Sequence, residues 1–550
     1  MIRKLLSIAC ILLLAATAQA QTPTVQYSNT FEEPEDGWNK ILQLKDGKTF
    51  FFHFTKEGIE VNVYTDKKLT AKKVITSKLW DAGKMRASVV EGLYEINGQP
   101  VIFLKQTTDR TPKLFRIALN NTTGAIDNES KLGELDKYKM GAGYAMAFGS
   151  VEEADFHVEK DPASDNYAVV NYNTFAHESD RRIEVVHYGV ENGQHKELNR
   201  AFYDAGDFKY IEYISMTVLG DKSVFVCSYG YNTASSGGKD SRVIVSRLSK
   251  GKNAFTHKLL EFTDDFKSTQ GFMQYNPGTN MLQLLTLTYM KTKSKMFSSK
   301  STSYYATLIS YIDPESLYIV STKPVMNEKT SDYIVSKLGG ESYNGLPQQM
   351  IINPDNSTTV LSEEMQAEIV TRNGTSYTSR TYLGNIGMST LDTKGNETSG
   401  IAIAKKQQAD GAVDPMYIAA KSKGLWSYRG GFTMMRISLE NNAFMSFDYL
   451  PTSGGQYILY NDYNENYEKG DNSPKRKTVA AISEANTIYY KINNGAVSKG
   501  YLFGKPANDD VSKFCYIEAS NYQPATGTYA TLVVKRDGRK KVACVAWVKF

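Results

Sequence analysis

Four apolar runs between Gly271 and Thr322 decide the fold: GFMQY (271–275), NMLQLLTLTY (280–289), YYATLISYI (304–312) and LYIVST (317–322). Each has the length of a strand, and none carries the 3.6-residue period of a helix. The middle two form a hairpin, and the outer two complete a four-stranded antiparallel unit.

The middle pair recurs along the chain. Lys48–Phe54 pairs with Gly58–Tyr64, Gln99–Gln106 with Lys113–Leu119, and Asn166–Tyr172 with Arg182–Tyr188. Lys222–Tyr229 pairs with Arg242–Leu248, and Asn280–Tyr289 with Tyr304–Ile312. Thr359–Thr371 follows with Tyr382–Leu391, Gln456–Tyr460 with Lys477–Ser483, and Phe514–Ser520 with Thr528–Lys535. First strands begin roughly 50 to 100 residues apart. This pattern predicts an all-β fold, a β-propeller of seven or eight four-stranded antiparallel blades, since radial repetition protects most sheet edges. Two β-sandwich domains are the alternative, but no Pro/Ser/Gly linker divides the repeat. The interruption at Ala404–Gly424 reads as an insertion or a long loop inside one domain spanning residues 21–550.

Composition agrees: 36 Tyr and 24 Phe stand against 15 Pro in 550 residues. With 41% hydrophobic and 22% charged residues, the chain fits neither a disordered nor a polytopic membrane protein. A net charge of +5 over this length is too small to argue for a nucleic-acid partner. Residues 1–20, MIRKLLSIACILLLAATAQA, read as a signal peptide: Arg3 and Lys4, an apolar run, then the small-x-small site Ala18-Gln19-Ala20. Cleavage after Ala20 implies a secreted or periplasmic protein, and no later stretch is apolar enough to cross a bilayer. Cys227, Cys515 and Cys544 remain, too few for a stapled scaffold. They read as buried small hydrophobes, although Cys515 and Cys544 could pair if their strands are neighbours.

Loops joining the second and third strands of every blade must emerge at one end. Several are long and polar: Asn173–Arg181, Gly230–Ser241, Met290–Ser303, Arg372–Arg380 and Asn461–Arg476. Tight hairpins need only two to five loop residues, so this end is the expected contact face. Its ligand-binding candidates are Lys291, Lys293 and Lys295 on a cationic finger, Tyr377, and Asn461, Asp462, Tyr463 and Asn464. Asp462, Asn464 and Asn466 alternate as calcium ligands do, but Tyr467 stands where an EF-type loop needs Gly. We expect no metal and no cofactor.

No catalytic motif stands out. H-E-x-x-H, G-x-S-x-G, Walker and dinucleotide patterns are absent. Glu364 and Glu368 are weak acid/base candidates on one strand, with Arg372 and Arg380 nearby to form an ordinary ionic rung. The six histidines follow no ligand spacing.

The segment Glu363–Gln407, EEMQAEIVTRNGTSYTSRTYLGNIGMSTLDTKGNETSGIAIAKKQ, precedes Tyr457–Asn466, YILYNDYNEN. This order resembles a set of secreted, propeller-like proteins of Gram-negative bacteria with no assigned activity. The resemblance covers about residues 360–550 best. It implies export and a propeller-like fold and supplies no catalytic residues. The expectation is therefore a monomeric secreted binding or interaction module whose ligand is a glycan or an envelope protein. A carbohydrate-active enzyme and a structural envelope component are the alternatives.

Overall fold

The computed structural model describes residues 23–34, 37–137, 155–173, 182–203, 208, 210–232, 241–260, 266–291, 303–372, 375–411, 413–418, 444–493, 495–508, 511–538 and 540–550. The leader expected at residues 1–20, with its expected cleavage after Ala20, lies outside them.

Eight antiparallel blades of four strands each, the sixth with one added strand, form an eight-bladed propeller. From inner to outer strand, blade 1 is Trp38–Gln43, Thr49–Thr55, Gly58–Thr65 and Lys68–Ile75. Blades 2 to 7 repeat this order, starting at Ser88, Asp155, Tyr210, Phe266, Leu346 and Phe447. Blade 8 takes Val511–Gln523, Thr528–Asp537 and Lys540–Lys549 from the C-terminus. Its outer strand, Thr24–Tyr27, comes from the other end of the chain, with Val25 opposite Val548 and Tyr27 opposite Ala546. The inner strand of blade 1 packs on the inner strand of blade 8, so the ring closes.

Second strands are sandwiched between neighbouring blades, which explains their continuous apolar runs. Tyr167–Tyr172 and Ser223–Tyr231 are buried at every position. Outer strands face solvent, and Lys68–Ile75 is mostly exposed. Eight hydrophobic seams join consecutive blades. The first places Phe50, Phe52 and Phe54 of blade 1 against Ile102, Leu104 and Phe115 of blade 2. The last sets Ile41, Phe51 and Tyr64 against Phe514, Leu532 and Trp547.

Three expectations need correction. Gln456–Tyr460 does pair within blade 7, but with Ala485–Asn493 rather than Lys477–Ser483. The latter segment follows a helical turn, Asn464–Lys469, and contributes only a parallel bridge from Val479 to Gln407. Phe514–Ser520 and Thr528–Lys535 belong to the first and second strands of blade 8, so their turn lies at the opposite end. Arg372–Arg380 is no open loop: strands Thr358–Arg372 and Thr375–Leu391 stay paired as far as Arg372 opposite Thr375. The sandwich alternative falls with ring closure. Cys515 and Cys544 both lie opposite Val533 on the strand between them. Two strand spacings, about 9–10 Å, exceed a disulfide's reach, and the three described cysteines are buried and in no disulfide.

The seam argument gives a direct test. Phe52 is fully buried, whereas Leu69 is 51% exposed. Phe52→Ala is expected to cost about 3–5 kcal/mol, and Leu69→Ala no more than about 0.5 kcal/mol. Denaturant unfolding of both variants checks this, and equal losses would contradict the packing described.

Candidate functional site

Six of the eight sequence hairpins are middle pairs, and the corrected blade 7 pair is a seventh, so these connections share one end of the ring with the links between blades. A cavity of about 250 Å³ opens at this end, between blades 6 and 7. Three such connections and a bulge within blade 6 wall it, and each is locally fixed.

The first wall is the link from blade 5 to blade 6. It carries helix Glu328–Tyr333 and the helical turn Ile334–Leu338, and Ile334 and Leu338 face the cavity. This link lies close on the outer strand of blade 6. A Cβ on Gly400 would meet Thr330 N at 2.2 Å, so only glycine permits the approach.

The second wall is a bulge in blade 6. Pairing passes from Glu363↔Ile386 to Met365↔Leu383, leaving Glu364 opposite Gly384 and Asn385. Such bulges re-aim side chains. Glu364 Oε2 accepts from Asn385 Nδ2 at 2.8 Å and from Asn385 N at 3.3 Å. Burial holds its carboxyl above the usual range, against the opposing pull of the Asn385 bonds. A Cβ on Gly384 would crowd Glu364 Oε2 at 3.1 Å.

The third wall, Ala404–Lys406, rests on a buried charge pair. Lys405 Nζ lies 2.5 Å from Glu363 Oε1, both side chains fully buried. Glu363 also accepts from Tyr417 OH at 2.6 Å and from Ser446 Oγ. Lys405 donates to Leu383 O and Gln407 Oε1. Breaking such a pair by removing one partner is strongly destabilising, because an uncompensated charge remains inside. The inserted stretch is therefore part of the core: Gln407–Asp410 adds a strand to blade 6, and Ala409, Tyr417 and Ile418 enter the seam between blades 6 and 7.

The fourth wall is the blade 7 connection. Arg476 Nη2 lies 2.6 Å from Asp462 Oδ2 and donates to Ala404 O at 3.2 Å. Asp462 also accepts from Asn466 Nδ2 at 2.6 Å. Asp471 accepts from Tyr490 OH at 2.7 Å and pairs with Lys499 at 2.8 Å. Ser473 and Pro474 complete the rim.

The residues singled out in the sequence take different places. Glu364 lines the cavity; Glu368 lies further along the hairpin, where it accepts from Tyr382 OH at 2.9 Å and pairs with Arg380 at 3.4 Å. Asn461 and Asp462 are buried. Asn461 ties Phe444 O, Cys515 O and Thr487 together, so it supports the wall from behind. Tyr463 OH accepts from Ala480 N and Ala481 N, and Asn464 accepts from Tyr501 OH. No group of three or more metal-competent side chains occurs among the described residues. The side chains of Lys291 and Tyr377, and Lys293 and Lys295 entirely, lie outside the described residues. Lys405, Lys406, Asp471 and Arg476 were missed. Their one sequence signal is the lysine pair inside the interruption.

A second gathering sits at the same end of blades 3 and 4. His157 stacks on Tyr213 with ring centroids 3.7 Å apart, and Tyr210 stacks on Tyr231 at 5.2 Å. Tyr231 OH donates to Glu212 at 2.8 Å, and burial holds that carboxyl above its usual range.

No known protein family matches the chain, and no curated protein does. Among solved structures, the polysaccharide lyase Uly1 aligns at 8% identity over 92% of this chain and 100% of its own, with a TM-score of 0.39. Prolyl oligopeptidase B from Galerina marginata aligns at 9% identity over 96% of this chain and 57% of its own, with a TM-score of 0.38. Quinohemoprotein alcohol dehydrogenase from Comamonas testosteroni aligns at 9% over 95% and 76%, also with a TM-score of 0.38. Likenesses this distant say nothing about chemistry, and the site must be read from its own residues.

Glu364 gives a pH test with a defined sign. Because its folded carboxyl holds a proton more tightly than the unfolded one, ionising it costs stability. That cost is absent below the ordinary value of 4.5 and grows as pH rises through the folded value. Glu364→Gln is expected to raise Tm at pH 7 and to leave it near wild type at pH 4. A lower Tm at pH 7 would contradict the burial argument.

Proposed function

We propose that this protein is an exported binding module that holds one unit of a glycan in the cavity between blades 6 and 7. The leader Met1–Ala20 supports export to the periplasm or cell exterior. The observation that carries the reading is the cavity: a polar, preformed concavity at the end where the inter-blade links and the long loops meet. Its 250 Å³ lies just under the roughly 300–1,000 Å³ of pockets that take drug-sized ligands. A single sugar ring fits that scale better than a longer segment.

The lining suits a sugar. Asn385 and Ser473 offer both donors and acceptors, and Glu364 accepts. Ile334, Leu338 and Pro474 supply apolar surface for a ring's C–H face. The walls are rigid because the ion pairs behind them are buried, so little ordering entropy opposes binding.

Ser473 is half-buried at the rim, and its side chain accepts only from Lys475 N. Ser473→Trp is expected to fill the cavity and lower retention on an immobilised glycan panel at least tenfold, with Tm unchanged. Wild-type retention by this variant would move the site elsewhere. A wild-type chain retained by no glycan would overturn the reading.

A further inference from the structure

We propose that the sugar unit held in this cavity carries an anionic group, and that Lys406 is the residue that reads it. The inference rests on the cavity being the glycan site and adds its charge selectivity.

Charge bookkeeping at the walls leads to Lys406. Three cations and two carboxylates line the cavity. Lys405 is neutralised by Glu363 at 2.5 Å, Arg476 by Asp462 at 2.6 Å, and Asp471 by Lys499 at 2.8 Å. Lys406 and Glu364 form no ion pair with any described residue. Glu364 is held instead by bonds from Asn385 and from the Asn344 backbone. Among the described residues Lys406 makes one long side-chain bond, 3.5 Å from Nζ to Arg476 O, which leaves two ammonium protons to offer.

Lys406 is also held in place, which distinguishes it from an ordinary surface lysine. Its sequence neighbours Lys405 and Gln407 are both buried, so its own side chain points outward to the rim. Its carbonyl accepts from Val479 N at 2.9 Å, and Gln408 N donates to Val479 O at 3.0 Å, clamping the backbone on both sides. An ammonium carried on a clamped backbone, beside polar side chains at the edge of a concavity, favours an anion more than the same group in open water. The group recognised is a carboxylate or a sulfate, the two anions that sugars commonly carry. The ring hydroxyls then fall to Asn385 and Glu364.

The test is equilibrium binding of galactose, galacturonate and galactose 6-sulfate to the mature chain, 21–550, for wild type and Lys406→Met. Wild type is expected to bind at least one acidic sugar tenfold or more tightly than galactose. Lys406→Met should remove that preference while keeping the galactose affinity and the Tm. Preference for galacturonate alone assigns a carboxylate, and preference for the sulfated sugar alone assigns a sulfate. Equal binding of all three, unchanged by Lys406→Met, overturns the charge selectivity and leaves the glycan reading standing. Binding of none of the three overturns this inference. Retention on the glycan panel would then still uphold the wider reading, and its absence would remove both.

Discussion

The pairing of Thr24–Tyr27 with Lys540–Lys549 is the contact on which the rest depends. Seven blades can be drawn as a chain of seams, each needing only its neighbour. The eighth needs both ends of the polypeptide. Trp547 concentrates the joint: its ring meets Tyr64 edge-on at 5.3 Å, and its Nε1 donates to Thr49 Oγ1 at 2.9 Å. Closure also buries strand edges that an open array would leave for aggregation. Without it, the relative position of blades 6 and 7 would be free to drift, and so would the cavity between them.

Against that closed frame, the junction of blades 6 and 7 differs from the others. Its seam admits Ala409, Tyr417 and Ile418 from the inserted stretch. Charged groups enter with them. Glu363, Lys405, Asp462 and Arg476 are all buried, and each has a partner within 2.6 Å. A hydrophobic filling would stabilise the junction as well or better. What the ionic filling adds is a hard-edged polar wall, with Glu364 and Lys406 emerging next to their buried neighbours. Adjacent residues have opposite fates: the side chains of Glu363 and Lys405 are fully buried, while Glu364 and Lys406 reach the cavity.

Much of the fold was legible in the sequence because the second strands, buried on both faces, write continuous runs such as KTFFFHF at 48–54 and NYAVVNY at 166–172. Strand Ala485–Asn493, ANTIYYKIN, was passed over in favour of Lys477–Ser483 because both carry apolar residues and the length of the blade 7 connection is not written locally. The place of Thr24–Tyr27 was illegible for a simpler reason: its partner lies more than 500 residues away. Glu364 could be picked out as a carboxylate on a strand, but its bulge depends on the register with Asn385. Lys405 and Arg476 were hidden because their partners, Glu363 and Asp462, are set by how two blades meet and not by spacing along either strand.

Ring closure is most directly tested by joining the two chain ends covalently. Val25 and Val548 face each other in the pairing of the outer strand with the C-terminal strand. Val25→Cys with Val548→Cys, oxidised in the folded mature chain and read by peptide mass spectrometry, is expected to yield a 25–548 cross-link in monomeric protein and a higher Tm. Oxidation that leaves both cysteines free, or links them only between molecules, would contradict the closed eight-bladed ring.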